Sequence, residues 1–115
     1  MNGPDQRRHP RVPVTRPVRI RISSGAVVQA RMVNISEDGV AVLYDSPAEV
    51  GARLGLTFTL VVRGREIEFH ERCVAVYNHL GSNGYIIGFH FEKLGGEALE
   101  ALREFIAHKR SLQDR

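Results

Sequence analysis

Between Pro17 and Phe91 the apolar residues come in short runs cut by turn-forming residues, and in several of these runs they recur at every second position. That period puts alternate side chains on opposite faces of an extended chain, and it leaves a half-buried β-sheet as the fold open to most of the sequence. Val18, Ile20 and Ile22 would face inward from a first run, with Arg19, Arg21 and Ser23 outward. Ser24-Gly25 is a turn signal, and residues 27–33 form a second run that alternates less cleanly. A turn is expected over residues 34–39, then a short apolar strand over 40–44, broken by Asp45-Ser46-Pro47. Leu54, Leu56, Phe58 and Leu60 share a face in the fourth run, and Arg63-Gly64-Arg65 reads as a hairpin turn. A long fifth run covers residues 66–78, with Ile67, Phe69, Val74 and Val76 as core candidates. The inward parity changes between Phe69 and Val74, so a β-bulge is expected near residues 71–73. A turn at Gly81-Ser82-Asn83-Gly84 leads to a sixth run over residues 85–91.

After Gly95-Gly96 the period changes. Ala98, Leu99, Leu102, Phe105 and Ile106 fall on one face of a helix over residues 97–109, with Glu97, Glu100 and Glu104 toward its start and Lys109 and Arg110 at its end, the order that suits the helix dipole. Six short antiparallel strands followed by a helix imply a mainly β fold, a small six-stranded antiparallel barrel capped by a C-terminal α-helix. The expected organisation is a flexible basic arm over residues 1–15, a barrel over 16–94, and a helix and tail over 95–115. Pro10, Pro13 and Pro17 keep the arm extended, and it is expected to be mobile until something binds it.

Charge is unevenly spread. Residues 1–31 hold seven arginines against one acid, a net +6, while the remainder is −3. A basic end can face nucleic acid, an anionic membrane or a small polyanion, or serve only as a solubilising tail. No apolar run approaches the length of a membrane span, and nothing after Met1 resembles a secretory signal, so a cytoplasmic protein is expected. The single cysteine, Cys73, excludes an internal disulfide and reads as a small buried hydrophobe. The five histidines lack metal-ligand spacing, and alternation sends His70 and Glu71 to opposite faces. With no nucleophile triad, phosphate-binding loop or dinucleotide fingerprint, no enzyme, metal or cofactor is expected.

Two separated stretches carry the chemistry. Arg7-Arg8-His9-Pro10-Arg11 offers three guanidinium groups, whose forks match phosphate oxygens and the acceptor edge of guanine. Arg7 and Arg11, four apart, span roughly 13 Å if extended. Asn34-Ile35-Ser36-Glu37-Asp38-Gly39 offers an amide and a hydroxyl at short range, and a glycine that supplies positive φ or lets a ligand approach the backbone. Each stretch alone has a plain explanation, a basic tail or ordinary turn chemistry. Their pairing, one before the first strand and one at the next strand junction, suggests a site for a phosphorylated, guanine-bearing ligand.

Arg-x-x-x-Arg followed by Asp/Asn-x-Ser-x-x-Gly is also the motif pair of the PilZ family, which this sequence resembles over nearly its whole length; Gly88-Phe89-His90-Phe91 is similar to that family's Gly-x-x-Phe ending. The resemblance implies a six-stranded barrel that binds the bacterial second messenger cyclic di-GMP. Carried over, Arg7 and Arg11 would be the main clamps on phosphates and guanine edges and Arg8 an auxiliary one. Asn34 and Ser36 would read a guanine base, and Gly39 would hold the turn. Some members stack a base on an aromatic of the fifth strand, for which Tyr77 is a candidate and Val76 is equally placed. The expected function is a stand-alone receptor that relays ligand binding, by a change of shape, to a downstream protein or through self-association as a homodimer. The alternatives are a PilZ-like interaction domain that binds no nucleotide, and a small basic barrel for nucleic acid. The absence of Trp and the core parity of most aromatics argue against the last.

Overall fold

A computed structural model of the chain describes residues 9–113. It contains strands β1 (Val12–Pro13), β2 (Pro17–Arg21), β3 (Val27–Ile35), β4 (Gly39–Tyr44), β5 (Arg53–Val62), β6 (Arg65–Gly81) and β7 (Gly84–Phe91), then helix α1 (Gly96–Gln113). Every pairing is antiparallel, in the order β1-β3-β2-β5-β6-β7-β4, and a further β3–β4 pairing closes six of the strands into a barrel. The short β1 is a seventh strand added beside β3, in line with β2. No described helix is long and apolar enough to cross a membrane.

Alternation fills the barrel as the sequence implies. Val18 and Ile20, Leu56, Phe58 and Leu60, Phe69, Ile87 and Phe89 are all buried, and Phe58 stacks on its cross-strand partner Phe69 with centroids 5.0 Å apart. The hairpin joining β5 to β6 turns at Arg63 and Gly64, both at positive φ (54° and 74°), the twist a two-residue hairpin prefers. Leu102, Phe105 and Ile106 of α1 are buried where the helix meets the barrel near β5 and β1. The helix extends beyond the expected residue 109, to Gln113.

Four expectations are corrected. Ile22 is half exposed, because the chain leaves β2 at Arg21. The bulge of β6 is not near residues 71–73. Cys73 and Ala75 continue the inward row of Phe69, and the register slips between Ala75 and Tyr77, so Val76 is the extra residue and neither Val74 nor Val76 is a core position. Small inward residues, rather than branched ones, keep the parity there. Asn34 is not in the turn but on β3, which carries its own slip between Met32 and Asn34. Finally, the proline-rich stretch packs against the barrel: Val12 and Val14 are 1% and 5% exposed, the Val14 amide donates to the Val33 carbonyl (3.1 Å), and the Met32 amide donates to the Arg16 carbonyl (2.8 Å). Pro13 is compatible with this because β1 pairs with β3 alone and leaves its other side unpaired, and Pro17 because it is the first residue of β2.

Candidate functional site

The two bulges determine which side chains reach the outer surface. On β3, Met32 points into the core, and unbroken alternation would send Asn34 in after it. The bulge instead turns Asn34 out and Ile35 in. On β6, Ala75 points in, and the extra Val76 turns Tyr77 out, where it is 37% exposed. The register then aligns Pro13, Asn34, Ala41, Gly88 and Tyr77 in one row across β1, β3, β4, β7 and β6. Between the two polar or aromatic members of that row stand only Ala41 and Gly88, the smallest side chains available.

Arg11 lies above this row. Its Nη1 donates to Asn34 Oδ1 at 2.8 Å in a partly buried setting. Its Nε is buried and has no hydrogen-bond partner among the described residues, a condition that ordinarily carries a cost of order 1–3 kcal/mol, more for a charged group. Arg11, Val12, Pro13, Val33, Asn34 and Tyr77 line a concavity of about 500 Å3. One guanidinium, one amide and one aromatic face therefore converge on an open hollow, the groups needed to meet a phosphate, a base edge and a base plane. Tyr77, not Val76, is the fifth-run side chain beside the arginine. Arg7 and Arg8 lie outside the described residues.

Ser36 and Gly39 do not line the hollow; they build the β3–β4 turn that follows Asn34. Ser36 is 1% exposed. Its Oγ accepts from the amides of Asp38 (3.1 Å) and Gly39 (3.3 Å), and its own amide donates to the Gly39 carbonyl (2.8 Å). Both lone pairs of the hydroxyl face the turn, so what it has left to give is its proton. Gly39 is not in the left-handed region, contrary to one reading of the sequence. Space is what demands glycine here: a Cβ would stand 1.9 Å from the carbonyl oxygen of Phe89 on the neighbouring β7. The approach that Gly39 allows is that of another strand.

Side-chain contacts tie this turn to His9 and to Arg103 of α1. His9 Nδ1 is 3.8 Å from Glu37 Oε1 and His9 Nε2 is 3.6 Å from Asp38 Oδ1, while Arg103 Nε of α1 donates to the same Glu37 oxygen at 3.0 Å. Sequence reasoning missed His9, Glu37 and Arg103 because nothing local links positions 9, 37 and 103. Gly88 was visible as part of a motif, but its place under Tyr77 follows only from the register of β6 on β7. A second hollow of about 430 Å3 opens at the far end of β3, among Ile20, Val28, Leu54 and Ile87. Its rim arginine, Arg53, is already 3.8 Å from Glu92, so it offers a phosphate less than Arg11 does. The described residues contain no cluster of potential metal ligands.

A family model for the PilZ domain matches residues 5–108. No curated protein sequence matches. Among solved structures, the chain is similar to the Bacillus subtilis inhibitor of motility MotI/DgrA (TM-score 0.83, 18% identity, 96% of this chain and 54% of that one). It is likewise similar to YcgR from Escherichia coli in complex with c-di-GMP (TM-score 0.78, 15% identity, 96% and 49%) and to the K. pneumonia MrkH–c-di-GMP complex (TM-score 0.76, 17% identity, 96% and 54%). The chain spans about half the length of each of these. At such identities the likeness is one of fold.

Proposed function

The chain belongs to the PilZ domain family, and from that premise we propose that it is a receptor for cyclic di-GMP which passes the signal to a partner protein. The observation that carries the reading is the convergence of the Arg11 guanidinium, the Asn34 amide and the Tyr77 ring on one open hollow. Structural neighbours described as c-di-GMP complexes support the choice of ligand. In this reading Arg7 and Arg11 hold phosphates and guanine edges and Arg8 assists. Asn34 meets a guanine base, and Ser36 adds its hydroxyl proton while its oxygen keeps the turn. Gly39 lets β4 close on β7, so the turn stays where the base arrives.

Relay to a partner has a physical route. A ligand drawn to Asn34 and Ser36 sits one residue from Glu37, which is bonded to Arg103 of α1. Drawing Arg11 from Asn34 toward a phosphate would shift the charge balance around that turn, and α1 would respond through Arg103. A helix that moves against the barrel offers a downstream protein, or a second copy, an altered surface. Arg7 and Arg8, on the basic stretch that precedes the packed Val12 and Val14, are proposed to close on the ligand.

Calorimetry with the purified protein tests the reading. Cyclic di-GMP should bind in preference to GMP, GTP and cyclic di-AMP, since two cations answer its two phosphates and the amide and hydroxyl answer guanine. Equal affinity for all four would refute guanine recognition. No binding of any of them would leave a PilZ domain that works only through protein contacts.

A further inference from the structure

Tyr77 reaches the hollow because of what is missing beneath it. Its register partner is Gly88 of β7, a buried residue. A Cβ at position 88 would stand 2.0 Å from Tyr77 Cε2 and 2.5 Å from both Cδ2 and Cζ. Three ring atoms at such distances mean that the ring occupies the volume a side chain would take. Gly88 is outside the left-handed region, so backbone conformation does not require glycine there. The next residue across the row, Ala41, is fully buried and carries only a methyl group, so little bulk stands between the ring and Asn34.

The geometry points to Gly88 as a positioning residue for the ligand: its bare backbone seats the Tyr77 ring against β7, beside Arg11, as a platform for a planar base. The inference rests on the reading that this hollow takes cyclic di-GMP, and it assigns Gly88 a role in affinity although Gly88 offers the ligand no side chain. The bulge at Val76 and the glycine at 88 then form one device. The bulge brings the ring outside, and the glycine lets it lie close to the strand. A methyl group at 88 would lift the ring off, because the clash is with rigid ring carbons flanked by two paired strands and not with the end of a flexible chain.

Four proteins test this: the full chain, Gly88→Ala, Tyr77→Ala, and the double variant. Each is titrated with cyclic di-GMP in a calorimeter and melted without ligand. Loss of a stacking platform should weaken binding on the order of ten- to a hundredfold. Gly88→Ala should weaken binding about as much as Tyr77→Ala does, and the double variant should be no weaker than Tyr77→Ala alone, the signature of two residues acting through one contact. In the melts, Gly88→Ala should destabilise the otherwise unaltered chain but leave Tyr77→Ala unchanged, since the methyl group then fills the vacated space. That comparison stands even if Gly88→Ala alone folds poorly. Wild-type affinity in Gly88→Ala, or an equal loss in both backgrounds, would overturn the seat while leaving the ligand assignment intact. Failure of the unaltered chain to bind would overturn the ligand assignment and this role together.

Discussion

Replacing Ser36 by alanine separates a turn-building role from a ligand-binding one. The hydroxyl oxygen accepts from two amides, those of Asp38 and Gly39. Asp38 is exposed, so water can take over its N–H and the loss there is small. Gly39 is buried against β7, and its N–H would be left without an acceptor, which costs about 1–3 kcal/mol. For a domain of this size each kcal/mol lowers the melting temperature by roughly 4 °C, so Ser36→Ala should melt roughly 4–12 °C below the unaltered chain. The assay is thermal unfolding followed by circular dichroism, with and without cyclic di-GMP, alongside amide hydrogen exchange at Gly39. Exchange at Gly39 should quicken in the variant. Calorimetry on the folded variant should show a further loss of about 0.5–1.5 kcal/mol in binding, the net value of one hydrogen bond. An unshifted melting temperature with a slow Gly39 amide would refute the view that the hydroxyl closes the turn.

Arg11→Ala should weaken binding of cyclic di-GMP by about 2–5 kcal/mol if its charge is desolvated against a phosphate, with little change in melting; calorimetry that finds equal affinity removes Arg11 from the site. Gly39→Ala should cost about 3 kcal/mol or more in urea unfolding, because the new methyl group must push β4 away from the Phe89 carbonyl; a normal unfolding midpoint would show that the strands part freely there. Burial, aided by the negative charges of Glu71 and Glu92, pushes the Cys73 thiol from its ordinary 9.0 up to about 12. The folded chain therefore keeps a proton that the unfolded chain releases, so this contribution to stability is complete below pH 9 and declines between 9 and 12. Cys73→Ala should lack that part of the decline, and native protein should resist alkylation that unfolded protein undergoes. Trypsin cleavage after Arg7 or Arg8 should slow when cyclic di-GMP is added, if the arm closes on the ligand; equal rates at saturation would assign the signal to another route, such as Glu37 and Arg103.

Strand alternation and helical spacing made the barrel and its helix legible, because both arise from side chains that must share one dry interior. What escaped the sequence was every feature set by pairing between distant strands. Val12 and Val14 looked like part of a loose arm because prolines flank them, yet an open edge beside β3 accepts just such a stretch. The bulge of β6 was misplaced because Val74 and Val76 are better strand formers than Cys73 and Ala75; the tight interior selected the smaller pair. Spacing alone picks out Arg11, Asn34, Ser36 and Gly39 as motif candidates. Their division of labour is not legible that way: Asn34 is held by Arg11, Ser36 by its own turn, and Gly39 is forced by a carbonyl on β7 that lies fifty residues further along the chain. Tyr77 and Gly88 needed the register that joins them.

Cyclic di-GMP is proposed to bind on the outer row that runs from Asn34 through Gly88 to Tyr77. An amide-resolved magnetic resonance titration of the isotope-labelled chain with cyclic di-GMP tests it most directly. Shifts should concentrate at Arg11, Asn34, Ser36 to Gly39, Tyr77 and Gly88, with smaller ones at Arg103 and none at Val28 or Leu54 in the far hollow. Shifts centred on Val28 and Leu54, or none at any amide under saturating ligand, would contradict this placement.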